Sequence, residues 1–303
     1  VPEDAKPGIE RANFVVSTWF ASVIDPFCIG LRRNKGQRWI KITFFRNLDL
    51  LHTPQARFPL DILGEVIRAS SRAYPDQGAF DLRFSDERGT NVVVNFTEDM
   101  RKNMKADYRW QGHNIADKDG CYIHYMPTHG PNLFETKMLR GTGYGEAGPV
   151  NGILYPQWAV GFEKPFEEKI GVEFKDGKVA AIHGQSREAE ILRYTVGGTL
   201  EELGCGHNPK APRFDIYPAG PNSPGALHFG VNALQPSEYL RRVMPNWEEP
   251  HVHMDFVTFD ATVSTGNRTV IDDGFLTALR DPLVVEAASR YGDPIELLED
   301  FPV

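Results

Sequence analysis

Ile170–His183 reads IGVEFKDGKVAAIH. Two β-forming runs flank Asp176-Gly177, a dipeptide suited to a tight turn whose two central residues both need positive φ. The stretch therefore predicts an antiparallel hairpin with strands over 170–174 and 179–183. Working outward, Glu188 to Tyr194 predicts a short helix stopped at Gly197-Gly198. Upstream, Phe80 to Phe84 alternates apolar with polar residues, Ser85 to Gly89 turns, and Asn91 to Phe96 returns as a second hairpin. Downstream, His253 to Val263 alternates, and Asn267 to Ile271 answers it across Thr265-Gly266. No internal repeat or low-complexity stretch interrupts this pattern.

The first part of the chain has a different texture. Ala12 to Val16 is a short apolar run, and Trp39 to Phe45 is a second β-rich run after the turn signal Asn34-Lys35-Gly36. Leu60 to Ala73 carries apolar residues at helical spacing, with Asp61 and Glu65 favouring its first turn. Two strands and a following helix make a small open α/β piece, like half of a doubly wound domain. The expected fold class is α+β: a small N-terminal α/β piece over residues 1–76, then a larger, mostly antiparallel β domain over 77–303 that carries the candidate site.

Composition narrows the function classes. The chain has 303 residues, 41% apolar and 24% charged, which suits a packed core and excludes a disordered chain. Its net charge is −8 and its 33 basic residues form no dense block, so nucleic-acid binding is not expected. No apolar run approaches the ~18 residues that cross a bilayer, so no membrane partner is expected either. The three cysteines, Cys28, Cys121 and Cys205, are widely spaced, with neither a disulfide framework nor a metal knuckle. A reducing, cytoplasmic location is expected. The sequence has neither an initiator Met nor a signal-like segment at its start.

Chemistry concentrates late in the chain. In Pro250-His251-Val252-His253-Met254-Asp255, side chains two apart on an extended strand share a face. His253 and Asp255 can thus reach one ion, as can His251 and His253. A borderline nitrogen donor beside a hard carboxylate suits zinc, iron(II) or manganese(II). Glu202 stands before a Gly204-Cys205-Gly206 turn, with Glu201 an equal claimant beside it, and His228 lies in an apolar strand bracketed by Gly225 and Gly230. Each of these residues alone has a structural alternative: a solvent-facing strand edge for His251, His253 and Asp255, a surface charge for Glu202, and a satisfied buried imidazole for His228. Glu202, His228, His253 and Asp255 together supply two imidazoles and two carboxylates.

The order ELGxGxNPKA (Glu202 to Ala211), GxLHFG (Gly225 to Gly230) and HxD (His253 to Asp255) resembles the C-terminal domain of the aminopeptidase T-like metalloproteins, whose relatives include the iron-dependent 2,5-dihydroxypyridine dioxygenases. FKDGKVAAIHG (Phe174 to Gly184), EAEILRY (Glu188 to Tyr194), Ile271 to Gly274 and IERANFVVST (Ile9 to Thr18) are similar to the same frame. The resemblance implies a metal held by Glu202, His228, His253 and Asp255. It also implies a chain that begins inside the family's first domain, and a symmetric homo-oligomer. The chain departs from the family pattern at several points. The hydrolytic members hold a second metal with an upstream Glu in a Pro-x-Gly-Glu context, which neither Glu135 nor Glu146 has, and they carry a Tyr where Gln235 stands. The pyridine dioxygenases carry a His at the position of Glu202, and a catalytic His near Val23.

What remains is a ligand set for one metal. With Fe(II), a two-His, one-carboxylate face with Glu202 as fourth ligand or base leaves open positions for a catechol-like or hydroxypyridine ring and O2. With zinc, manganese or cobalt, a bound water of lowered pKa would attack an amide. A proton-transfer group is also required, and His serves most often. His113 comes first, because Tyr108 and Trp110 beside it could stack on a flat ring. His124, His129 and His207 follow, and the glycine-rich stretch 130–152 reads as a loop near the site. The leading expectation is a ring-cleaving dioxygenase for a hydroxylated aromatic or N-heteroaromatic substrate. The alternatives are a metal-dependent amidase or aminopeptidase and a non-catalytic protein on the same frame.

Overall fold

The computed structural model describes residues 1–17, 25–42, 52–113, 122–126, 130–135, 150–213, 220–233 and 253–301. In chain order these form helix α1 (Lys6–Arg11), strand β1 (Phe14–Ser17), α2 (Pro26–Lys35), β2 (Arg38–Ile42), α3 (Pro54–Arg57), α4 (Leu60–Ala73), β3 (Phe80–Ser85), β4 (Asn91–Phe96), α5 (Glu98–Ala106) and β5 (Tyr122–Met126). Then follow β6 (Phe134–Glu135), β7 (Val150–Leu154), β8 (Trp158–Ala159), β9 (Gly171–Lys175), β10 (Lys178–His183), α6 (Arg187–Thr195), β11 (Val196–Cys205), β12 (Leu227–Ala233), β13 (His253–Thr258), β14 (Thr262–Thr265), β15 (Arg268–Asp272) and β16 (Phe275–Leu276). Helices α7 (Pro282–Ser289) and α8 (Pro294–Leu298) close the described chain. None of the described helices is long and apolar enough to cross a membrane.

The N-terminal piece is a parallel sheet in the order β1-β2-β5. Helix α2, absent from the sequence reading, makes the crossover between β1 and β2, as parallel neighbours require. Its signals are local: Asp25 accepts from the amides of Phe27 (2.9 Å) and Cys28 (3.2 Å), Pro26 opens the first turn, and Gly36 ends the helix at φ +61°. Cys28, Leu31 and Trp39 form its small core.

All strand pairs of the large sheet are antiparallel, in the order β16-β15-β14-β3-β4-β7-β9-β10-β11-β12-β13-β8, with β6 added beside β11. The expected α+β class is therefore the observed one. The Asp176-Gly177 hairpin forms with φ +52° and +77°, and Lys178 pairs with Lys175 across a two-residue turn. The sheet curls upon itself. Strands β3 and β12 are six steps apart in strand order, about 29 Å if the sheet were flat. Yet the rings of Phe84 on β3 and Phe229 on β12 are 5.4 Å apart, and Phe174 on β9 lies 6.2 Å from Phe229. Arg88, in the β3–β4 turn, joins the two ends by donating to Thr258 Oγ1 (2.7 Å) and the Tyr155 carbonyl (3.0 Å). Helix α4 forms over the expected residues and buries Ile62, Leu63, Val66 and Ile67 in the core enclosed by this sheet.

Two expectations need correction. Gly197-Gly198 does not stop the helix: α6 ends at Thr195 and the chain continues directly into β11. β-Branched Thr195 and Val196 favour extended backbone there, and Gly198 serves packing instead, since a Cβ on it would lie 2.5 Å from the Asn232 Cβ. Nor is 253–263 a single strand. β13 pairs with β12 and β8, whereas β14 pairs with β3 and β15. The corner between them is held where Gln157 bonds both the Phe259 amide and Asp260.

Candidate metal centre

Strand register builds the site. Across β11, β12 and β13, Glu202 pairs with Gly230 and Gly230 with Asp255; one row on, Gly204 pairs with His228 and His228 with Val257. Directly opposed residues, and residues two apart on one strand, share a face. Glu202, His228 and Asp255 therefore project from the same face, and position 253, paired with Asn232, has the same parity. Gly230 leaves an open lane between the two carboxylate-bearing strands, which stand about 9.6 Å apart at two strand spacings. The His253 side chain, and the whole of His251, lie outside the described residues.

A β-bulge in β11, where the register shifts between Leu200 and Glu202, adds Glu201 to this face. Its carboxylate accepts from Asn232 Nδ2 at 3.0 Å. Glu201, Glu202, His228 and Asp255 are 2%, 9%, 9% and 6% exposed, so three carboxylates and an imidazole are buried together. Such a cluster is tolerated only with compensating hydrogen bonds, protons or a cation. His228 Nε2 stands 3.6 Å from Glu202 Oε1. The imidazole lies over Gly204, where a Cβ would come within 1.8 Å of the ring. Only glycine fits beneath it, which explains the glycine after Glu202-Leu203 better than a sharp turn does, because β11 runs on through Cys205.

A fifth residue is buried with them. Asn132, 1% exposed, donates its side-chain amide to Glu202 Oε1, and its own carbonyl accepts from Trp110 Nε1 at 3.0 Å. The segment is sewn to β11 by the Leu133 amide on the Leu203 carbonyl (2.7 Å) and by the pairing of Glu135 with Glu202. Glu135 thus stands at a register position opposite Glu202. Its sequence context carried no signal for this, because a two-residue strand reached through the glycine-rich stretch has no local pattern to read.

Of the proposed proton-transfer residues, the side chains of His113 and His207 are described, and they lie in different surroundings. His113 is exposed and stacks on Tyr108, with centroids 3.8 Å apart. Trp110 is in the core, edge-on to His207 at 5.7 Å, so the expected aromatic platform around His113 does not form as pictured. His207 is 1% exposed and packs against Gly130, where a Cβ would fall 1.8 Å from its Nδ1. Burial depresses its pKa to about 4, against a raising hydrogen bond with the Cys205 backbone, so the ring is neutral at physiological pH. His124 is on β5, in the N-terminal sheet, and its side chain lies outside the described residues, as does all of His129. Val23, Cys121, Glu146 and Gln235 also lie outside them. Burial pushes the Cys28 thiol up to about 11 and that of Cys205 to about 12, so neither is a ready nucleophile.

The donor set is the kind that holds a hard or borderline divalent cation. Among the described residues, no three His, Cys, Asp or Glu side chains already stand close enough to share one ion. The fit therefore rests on donor chemistry, burial and a common face.

Fold and face together define a class: an α+β protein whose curled antiparallel sheet buries carboxylates and an imidazole on one three-strand face. Within that class, a solved structure of 2,5-dihydroxypyridine dioxygenase from Pseudomonas putida KT2440 is similar with a TM-score of 0.57 and 16% identity, over 90% of this chain and 74% of that one. Wild-type AmpT from Thermus thermophilus gives a TM-score of 0.45 and 16% identity, over 91% of this chain and 80% of that one. The fold of this chain is therefore similar to that of the dioxygenase structure. No protein-family profile matches the sequence, and no curated protein sequence does.

Proposed function

We propose that the chain is a metal-dependent enzyme, a mononuclear non-haem Fe(II) dioxygenase that opens a hydroxylated aromatic or N-heteroaromatic ring, with Glu202, His228, His253 and Asp255 as its ligands. The observation that carries this reading is the burial of Glu202, His228 and Asp255 on one face of β11–β13, either side of the side-chain-free position Gly230. The fold is similar to that of a 2,5-dihydroxypyridine dioxygenase, which supports the substrate class. Bound iron(II) would supply a redox-active ion with open positions that bring a chelating ring and dioxygen together. The protein's own part is to hold the donors and exclude water. The carboxylates of Glu202 and Asp255 set the negative charge of the site, and Gly204 lets the His228 ring lie flat against β11. Proton transfer is the role for which the sequence offers His113, His124, His129 and His207; alanine substitution of each, read as kcat, assigns it. Oxygen uptake by iron-loaded protein with a catechol, hydroquinone and hydroxypyridine panel tests the proposal. Uptake with one of these rings is expected; none with any of them sinks it.

One observation favours a second reading. Glu135 stands opposite Glu202 and extends the row to Glu135, Glu202, Gly230 and Asp255. A further carboxylate at that position suits a two-metal aminopeptidase or amidase. Two equivalents of zinc, manganese or cobalt per chain, with amide hydrolysis, would replace the first reading by this one.

A further inference from the structure

We propose that Asn132 is a positioning residue of this centre: held by Trp110 and by the short β6 pairing, its amide fixes the orientation in which Glu202 meets the ion. The inference rests on the reading of the β11–β13 face as a metal centre. An ionised carboxylate only accepts hydrogen bonds, so the atom of Asn132 facing Glu202 Oε1 is its NH2 group. That donor engages the same oxygen that stands 3.6 Å from His228 Nε2. Oε1 is therefore fixed on one side, and rotation of the carboxylate about its own axis is arrested.

The support beneath Asn132 is unusually complete for a residue outside the long strands. Its carbonyl accepts from the Trp110 indole, Trp110 is 1% exposed and packs edge-on against both Tyr74 (5.7 Å) and His207 (5.7 Å), and the next residue, Leu133, bonds back to β11. The peptide that follows Asn132 is thus held through both its carbonyl and its N–H, by groups other than the Glu202 side chain. A donor on so rigid a mount restricts its acceptor, and supporting hydrogen bonds of this kind typically account for about 10–100-fold in metal affinity.

Cobalt(II) binding to the full chain tests the inference, read as a dissociation constant and as the visible absorption spectrum of the bound ion. Asn132→Ala should weaken cobalt binding about 10–100-fold and shift the spectrum, with the melting temperature of the metal-free protein little changed. Asn132→Leu, which keeps the volume and removes the donor without adding a charge, should weaken binding by a similar factor; it also serves if the alanine variant does not fold. If Asn132 acts through Glu202, the two changes cannot be independent. In a Glu202→Gln background, Asn132→Ala should then cost less than about 2-fold more. Wild-type affinity in both Asn132 variants, or losses that multiply in the double variant, would overturn the inference while leaving the metal centre intact. A wild-type chain that binds no cobalt would instead overturn the centre itself, and the inference with it.

Discussion

Two cross-strand pairs in the same sheet join a carboxylate to an imidazole. On the β9–β10 hairpin, His183 Nε2 is 2.8 Å from Glu173 Oε2, and both side chains are about half exposed, at 50% and 46%. On β11–β12, His228 Nε2 is 3.6 Å from Glu202 Oε1, with the side chains only 11% and 12% exposed. The exposed pair is shorter yet matters less, because water screens it and solvates either partner alone; such pairs contribute about 0–1 kcal/mol. The buried pair sits where ionised groups are costly, beside Glu201 and Asp255. Apolar residues would make that face of the core more stable. A buried acidic cluster that works against stability favours the β11–β13 face over the hairpin as the proposed metal centre.

Breaking each pair should separate the two regions most sharply. His228→Ala should abolish stoichiometric metal binding and the associated activity, whereas His183→Ala should leave both unchanged and alter stability by no more than about 1 kcal/mol in urea denaturation. Equal effects from the two variants would erase the distinction. A second contrast lies within β12, whose alternate residue points the other way: Phe229 is fully buried against Phe84 and Phe174. Phe229→Ala should cost about 3–5 kcal/mol of stability by opening a cavity in the core, with metal affinity per folded molecule preserved, as measured at low temperature.

The buried imidazole of His207 gives a pH signature of its own. Its pKa is depressed from the ordinary 6.5 to about 4 in the folded chain, with burial as the main cause. The unfolded chain therefore binds more protons between these values. Stability should fall as pH drops from about 6.5 toward 4, by roughly 2–3 kcal/mol, and be constant above that window. His207→Gln should flatten this dependence; an unchanged slope in chemical denaturation at pH 4.5 and 7 would show that another group sets it. The smallest effect belongs to the hairpin turn. Gly177→Ala places a side chain at φ +77° and should cost about 1 kcal/mol with metal binding untouched.

The same contrast explains what was legible in the sequence. The β9–β10 hairpin and α4 could be read because their signals are local: a two-residue turn with positive φ, and apolar residues at helical spacing. The shared-face argument for His253 and Asp255 needed only strand parity, and the register of β12 and β13 agrees with it. Helix α2 could have been read from Asp25-Pro26 and Gly36, but its apolar residues crowd the first turns and its last turn, Arg32 to Lys35, is polar, so periodicity alone missed it. The break at Phe259–Ala261 escaped because one alternating pattern continues across two strands with different neighbours. Asn132 and Glu135 could not be read at all. Their placement comes from contact with a strand about seventy residues away, and neither propensity nor periodicity encodes such a contact.

The most direct test is elemental analysis of the purified chain after anaerobic loading with iron(II) and removal of excess, beside Asp255→Asn treated identically. One equivalent of iron per wild-type chain, and little in the variant, is the predicted result. Iron absent from the wild type, or retained equally by Asp255→Asn, would contradict a metal centre on the β11–β13 face.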